Sequence, residues 1–236
     1  RIGPEASWCA HMKTLPAAAA LFALAYGSTS RVEERYVARE VRGWNVQVER
    51  GLERGANGKA VLELLDHKLF DIERAVPSAA LTKLRAVTVW LSESNAVTPC
   101  MCYHPSAVWL KEHGFDERKA RGVEIANAAT FLDWSKQQPA MVLHELAHAY
   151  HHQVLGYDDA SVRAAFEHAT ASGAYDDVLY CDGSRKKAYA LNNDTEFFAE
   201  LSEAWFGTND FFPFVQAEVL ASDPTSAAML RKAWGE

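Results

Sequence analysis

The run MVLHELAHAYHH, Met141 to His152, constrains this chain more than any other. Val142, Leu143, Leu146, Ala147 and Ala149 are apolar at spacings that suit a buried helix, yet four histidines and one glutamate interrupt them. His144 and His148 stand four residues apart, so on a helix they share a face and their imidazoles can converge on one metal ion. Glu145 follows about 100° round the axis, beside the metal rather than on it, where it can take a proton from metal-bound water. Two neutral imidazoles and one oxygen donor suit zinc, whose fourth position stays open for that water. A lone histidine on an apolar helix is ordinarily a packing residue. Two at this spacing, with the glutamate after the first, form the HExxH pattern of zinc hydrolases.

His151 and His152 are a separate matter. Position 152 lies about 12 Å along the axis from His144, too far to join the same ion. Both are expected on the surface or behind the ligands.

The third ligand comes from elsewhere in the chain. The metzincin pattern needs a glycine at 151 and a histidine at 154; the chain has His151 and Val154, which excludes that class. Two candidates remain. Glu196, in NNDTEFFAE, sits near the start of a second helix, whose N-terminus favours an ionised carboxylate. Asp210, in GTNDFFPF, is the alternative, with a faint likeness to the GTxDxxYG motif of aspzincins; Pro213-Phe214 stands where Tyr-Gly is expected. Glu196 is the favoured ligand. Glu200, one turn further on, can hold a ligand imidazole from behind, and Glu203 is expected to be solvated. Phe211 to Phe214 are expected in the core, with a cleft wall as the alternative.

HELAH followed by YALNNDTEFFAE resembles the catalytic domain of anthrax toxin lethal factor and the related Pro-Pro endopeptidases, a group of gluzincin zinc peptidases. The resemblance spans Pro139 to Phe206; the first half of the chain carries none. It implies a zincin-like metallopeptidase fold, with zinc held by His144, His148 and Glu196 and with Glu145 as the general base. It also implies that Tyr189, seven residues before Glu196, bonds the developing oxyanion or the leaving group. Ala147 stands where that family commonly has glycine, so subsite preference is not carried over.

The wider chain fits a single domain over residues 31–236. Hydrophobic residues make up 49% of the 236, enough for a sizeable core, and no linker or repeat divides it. A net charge of −7 gives no electrostatic reason to expect nucleic acid or anionic membrane as a partner. Ahead of the domain, Met12 to Ala25 has one lysine, an apolar run and a small-x-small end at Ala23-Leu24-Ala25, as in a signal peptide. Arg1 to His11 precede it without a recognisable role. The expected location is secreted or periplasmic, with no membrane association after cleavage. Cleavage would remove Cys9 and leave Cys100, Cys102 and Cys181, which allow one disulfide or three free thiols.

Alternation in Trp44–Glu49 and the β-rich runs Ala86–Leu91 and Gly122–Ala128 predict strands. The last is expected at the sheet edge, where Val123 to Asn127 would pair with an extended substrate. PCMCYHP, Pro99 to Pro105, reads as a loop or short strand. Helices are expected over Lys59–Val76, Pro139 to Leu155 and NNDTEFFAELSEAWFG, with two short ones starting at Pro213 and Pro224. Asp182-Gly183 marks a hairpin. Strands and helices first, then mostly helices, predict an α+β domain with a small sheet packed on long helices. The function expected is a secreted zinc metallopeptidase acting on peptides or proteins. The alternatives are a zinc hydrolase of non-peptide amides and a zinc-containing binding module that cleaves nothing.

Overall fold

The computed structural model describes residues 35–235. The segments 1–11 and Met12–Ala25, with Cys9, lie outside the described residues. Strand β2 (Trp44–Glu49) forms where the alternation predicts it, with Trp44, Val46 and Val48 fully buried. It pairs antiparallel with β1 (Tyr36–Val41), which the sequence does not advertise. The turn between them is Arg42-Gly43, with φ of 52° and 86°. Both central residues are left-handed, as a two-residue hairpin loop requires. Arg42 is held there by its guanidinium, which donates to the Asp66 carboxylate at 2.8 Å and to the Asp66 carbonyl at 2.9 Å.

The chain then runs through α1 (Arg50–Arg54), α2 (Gly58–Ala75) and α3 (Ser78–Arg85) to β3 (Val89–Leu91). Helix α2 buries Val61, Leu65, Leu69 and Ile72, one apolar stripe at helical spacing. Next come β4 (Met101–Tyr103), α4 (Ala107–Glu112), β5 (Val123–Ile125) and α5 (Ala128–Trp134). The five strands make one mixed sheet in the order β1-β2-β3-β5-β4. β3 runs parallel to both β2 and β5, while β4 closes the sheet antiparallel to β5. The expected edge strand over Val123 to Asn127 is therefore corrected. β5 lies inside the sheet, and Met101–Tyr103 is the edge. All three residues of β5 are buried, and a buried strand and an edge strand of this length look alike in periodicity.

The second half is helical. Helix α6 (Met141–Tyr150) continues as a π-wound turn, His151–Leu155, and stops at Gly156, whose φ is 85°. After α7 (Ala160–Ser172) comes the hairpin of β6 (Val178–Leu179) and β7 (Arg185–Lys186), turning at Asp182-Gly183 as expected. Helix α8 (Asp194–Phe206) is buried from Thr195 to Trp205. The helix expected from Pro213 begins later, as α9 (Gln216–Ser222), because the Glu218 carboxylate accepts the backbone N–H groups of Phe214 (2.7 Å) and Val215 (3.3 Å) ahead of it. Helix α10 (Pro224–Trp234) starts at its proline as expected, with Asp223 capping Ser226 N–H at 3.0 Å.

α6 and α8 pack along each other, and α10 locks them. Trp234 stacks on Tyr150 at 4.2 Å and donates its indole N–H to Ser202 on α8 at 3.1 Å. The result is an α+β domain, a small mixed sheet with ten α-helices among the described residues. Cys100, Cys102 and Cys181 are all free thiols. No helix of the described residues is long and apolar enough to cross a membrane.

Candidate metal centre

Helix α6 carries His144 and His148 on one face, and α8 brings Glu196 to meet them. The two Nε2 atoms lie 3.0 Å apart, with rings nearly perpendicular at 84°. Glu196 Oε2 is 3.1 Å from His144 Nε2 and 3.4 Å from His148 Nε2. Three donors thus point to one focus. Ligands about 2.0–2.1 Å from a tetrahedral zinc sit about 3.3 Å from one another, so the set fits zinc in both donor type and spacing. Its position follows from a local device: Asn193 caps α8, its side-chain oxygen accepting the N–H of Thr195 (3.0 Å) and of Glu196 itself (2.8 Å). Glu196 is thereby fixed in the first turn, next to the positive end of the helix.

The electrostatics already suit a cation. Burial works against charge on His144, but its bonds to Glu196 and Glu203 outweigh burial and hold the imidazole well above its usual pKa. Burial likewise opposes the Glu196 charge; the two histidines outweigh it and keep the carboxyl far below the usual range.

Behind the donors the expectation changes. Glu203, expected to be solvated, is buried, and its Oε1 accepts from His144 Nδ1 at 2.7 Å. That bond assigns a proton to Nδ1 and makes Nε2, facing Glu196 and His148, the nitrogen that can ligate. Glu200, expected in this role, is also buried but lies 3.7 Å from the same Nδ1. The stripe Glu196, Glu200, Glu203 falls at i, i+4 and i+7 on α8, a spacing that was readable in the sequence.

Glu145 does not join the donor set. Its Oε2 accepts the backbone N–H of Tyr103, on the edge strand β4, at 2.7 Å. It lines a cleft of ≈ 250 Å³ together with His144 and Tyr189. Tyr189 stands in a 3₁₀ turn just before α8, 38% exposed. Burial and the Glu196 charge push its hydroxyl up to about 12, so it stays a proton-bearing donor at neutral pH.

The remaining candidates are placed apart from the triad. Asp210 is buried on the cleft wall and accepts from the Gln138 amide at 3.3 Å. Phe211 is buried and lines the same cleft, so both expectations for that run hold at this residue. His151, expected near the surface or behind the ligands, is in the core with no exposure, between Tyr157 and Phe198. His152 bonds the Tyr103 hydroxyl through Nδ1 at 2.7 Å and stacks on Tyr157. Sequence reasoning missed the Tyr103 amide, since a backbone donor has no residue signature. No protein-family model, no curated protein and no solved structure matches this chain.

Proposed function

We propose that the protein is a secreted zinc metallopeptidase of the gluzincin type with a zincin-like domain, hydrolysing peptide bonds with water. The observation that carries this is the convergence of His144 Nε2, His148 Nε2 and Glu196 Oε2, with the Glu145 carboxylate in the same cleft and bonded to the amide of the edge residue Tyr103. A purely structural zinc site has no use for that carboxylate. The fold adds a reason for a peptide substrate: β4 is an edge strand next to Glu145, so an extended chain can add to the sheet with its backbone near the site.

When bound by His144, His148 and Glu196, zinc supplies Lewis acidity, polarising the carbonyl and acidifying water. Glu145 takes the proton of the attacking water and passes it to the departing amine nitrogen. Its bond to the Tyr103 amide keeps it aimed until water arrives. Tyr189 donates its hydroxyl hydrogen to the oxyanion that forms from the carbonyl. Glu203 fixes the His144 ring so that Nε2 keeps its direction. The signal-peptide-like segment Met12–Ala25 supports export.

The test pairs metal content with cleavage of a diverse peptide library. Wild-type protein is expected to hold one zinc and cut. Glu145→Gln should keep the zinc and lose about 10²–10⁴-fold in rate. Glu196→Gln should lose the zinc, whereas Asp210→Asn keeps it. Zinc lost from Asp210→Asn and retained in Glu196→Gln would sink the ligand assignment. Equal cutting by Glu145→Gln would sink the mechanism, and an absence of cuts by zinc-loaded wild type would favour a non-peptide substrate or a binding role.

A further inference from the structure

The cleft beside the donor triad carries more carboxyl groups than hydrolysis requires. Glu200, Glu203 and Asp210 line it along with Glu145, and a single lysine, Lys186, stands against them. Glu200, Glu203 and Asp210 are each only 4% exposed. Glu203 is committed to His144. Glu200 is not: its Oε2 is buried and meets no hydrogen-bond donor, and its Oε1 is 3.7 Å from a His144 nitrogen that Glu203 already holds at 2.7 Å. The Asp210 carboxyl accepts a long bond from the Gln138 amide, 3.3 Å. A buried carboxyl oxygen without a hydrogen-bond partner is costly, and it persists where something else brings the partner.

The cleft wall also has the other half of a cation site. Tyr180 and Phe211 line it, and the Lys186 ammonium rests 3.2 Å from the Tyr180 ring centre and 5.2 Å from that of Phe211. Those aromatic faces already hold one ammonium.

We propose that this part of the cleft is a subsite for a basic side chain, lysine or arginine, with Glu200 and Asp210 as the specificity-determining carboxylates. The inference rests on the peptidase reading for its substrate class. The edge strand gives the side of the cut. The cleft is lined by Cys100 and Met101, at the start of β4. A peptide adding antiparallel to β4 has its C-terminal part there, so the subsite takes the residue directly after the cleaved bond.

Two arms test it. In the first, zinc-loaded Glu145→Gln protein is titrated with Nα-acetyl-lysine methylamide and with the norleucine analogue, which lacks the ammonium. The lysine probe is expected to bind roughly ten-fold tighter. Asp210→Asn and Glu200→Gln, each added to that background, should bring the ratio near one. In the second, wild-type protein cuts peptide pairs that differ only by lysine or norleucine after the bond, and kcat/KM should favour lysine by a similar factor. Equal binding of the two probes, or a ratio that neither substitution changes, overturns the subsite. Cleavage without discrimination overturns it too and leaves the peptidase standing. A probe preference that both substitutions abolish, in a protein that cuts no peptide, supports the subsite and sinks the peptidase. A second zinc, lost on Asp210→Asn, would assign the carboxylates to a metal instead.

Discussion

On the His144 ring, Nε2 faces Glu196 at 3.1 Å while Nδ1 is held by Glu203 at 2.7 Å. Removing the second bond frees the ring to rotate and lowers the basicity of the first nitrogen. Glu203→Gln should therefore weaken zinc binding about 10–100-fold, read by competition with a chromophoric chelator. Glu200→Gln should weaken it less, since its oxygen is 3.7 Å away; equal losses would contradict the assignment of Glu203 as the positioning residue. The difference marks what a sequence can and cannot tell at this scale. His144, Glu145 and His148 were legible because their spacing on one helix already sets their geometry. Glu203 was not, because a charged residue at i+7 is on a solvated face as often as a buried one. Its burial is decided by α6 packing against α8, which no local pattern encodes.

Helix α6 shows the same division one level up. Its extent to Leu155 was legible from the apolar spacing and from Gly156. Its last five residues are π-wound, and that places His151 in the core. Neither ring nitrogen of His151 has a hydrogen-bond partner. Burial, with the neighbouring His148 acting in the same direction, lowers its pKa from the usual 6.5 to about 4. Between those values the unfolded chain binds a proton that the folded chain refuses. The stability present above pH 6.5 is thus lost as pH falls toward 4, by about 3 kcal/mol for this one group. His151→Phe, which suits the aromatic slot, should remove that part of the acid lability. Urea unfolding of both proteins from pH 7 to pH 4 checks it; curves that stay parallel would show that His151 does not contribute. The strands were less legible than the helices. β1 was missed because Arg42-Gly43 lacks the Asn-Gly signature of a hairpin turn, and Arg42 is held left-handed by contacts to α2.

For the molecule as a whole, the donors come from two helices, with His148 and Glu196 far apart in sequence. A bound ion therefore joins α6 to α8 and recognises only the folded chain. At free zinc 100-fold above its Kd this adds about 2.7 kcal/mol of stability. For a domain of this size, chelation should lower Tm by about 5–10 °C, measured by scanning calorimetry. Glu196→Gln should show no such response; a Tm in wild type that is indifferent to chelator would speak against a metal shared by the two helices. The α+β class was legible from the order of patterns along the chain. The strand order β1-β2-β3-β5-β4 was not, because short buried strands do not reveal their neighbours.

The bond from the Tyr103 amide to Glu145 has a consequence for the company this protein keeps. A sheet edge attracts other chains, and open edges are where copies of a protein begin to aggregate. Here the edge is three residues long, and the outward amide of Tyr103 is occupied by a carboxylate from α6. A second copy finds little backbone to zip against. On the peptidase reading, a substrate that settles on β4 and takes up that amide would displace Glu145 from it, releasing the carboxylate as the bond to be cut arrives.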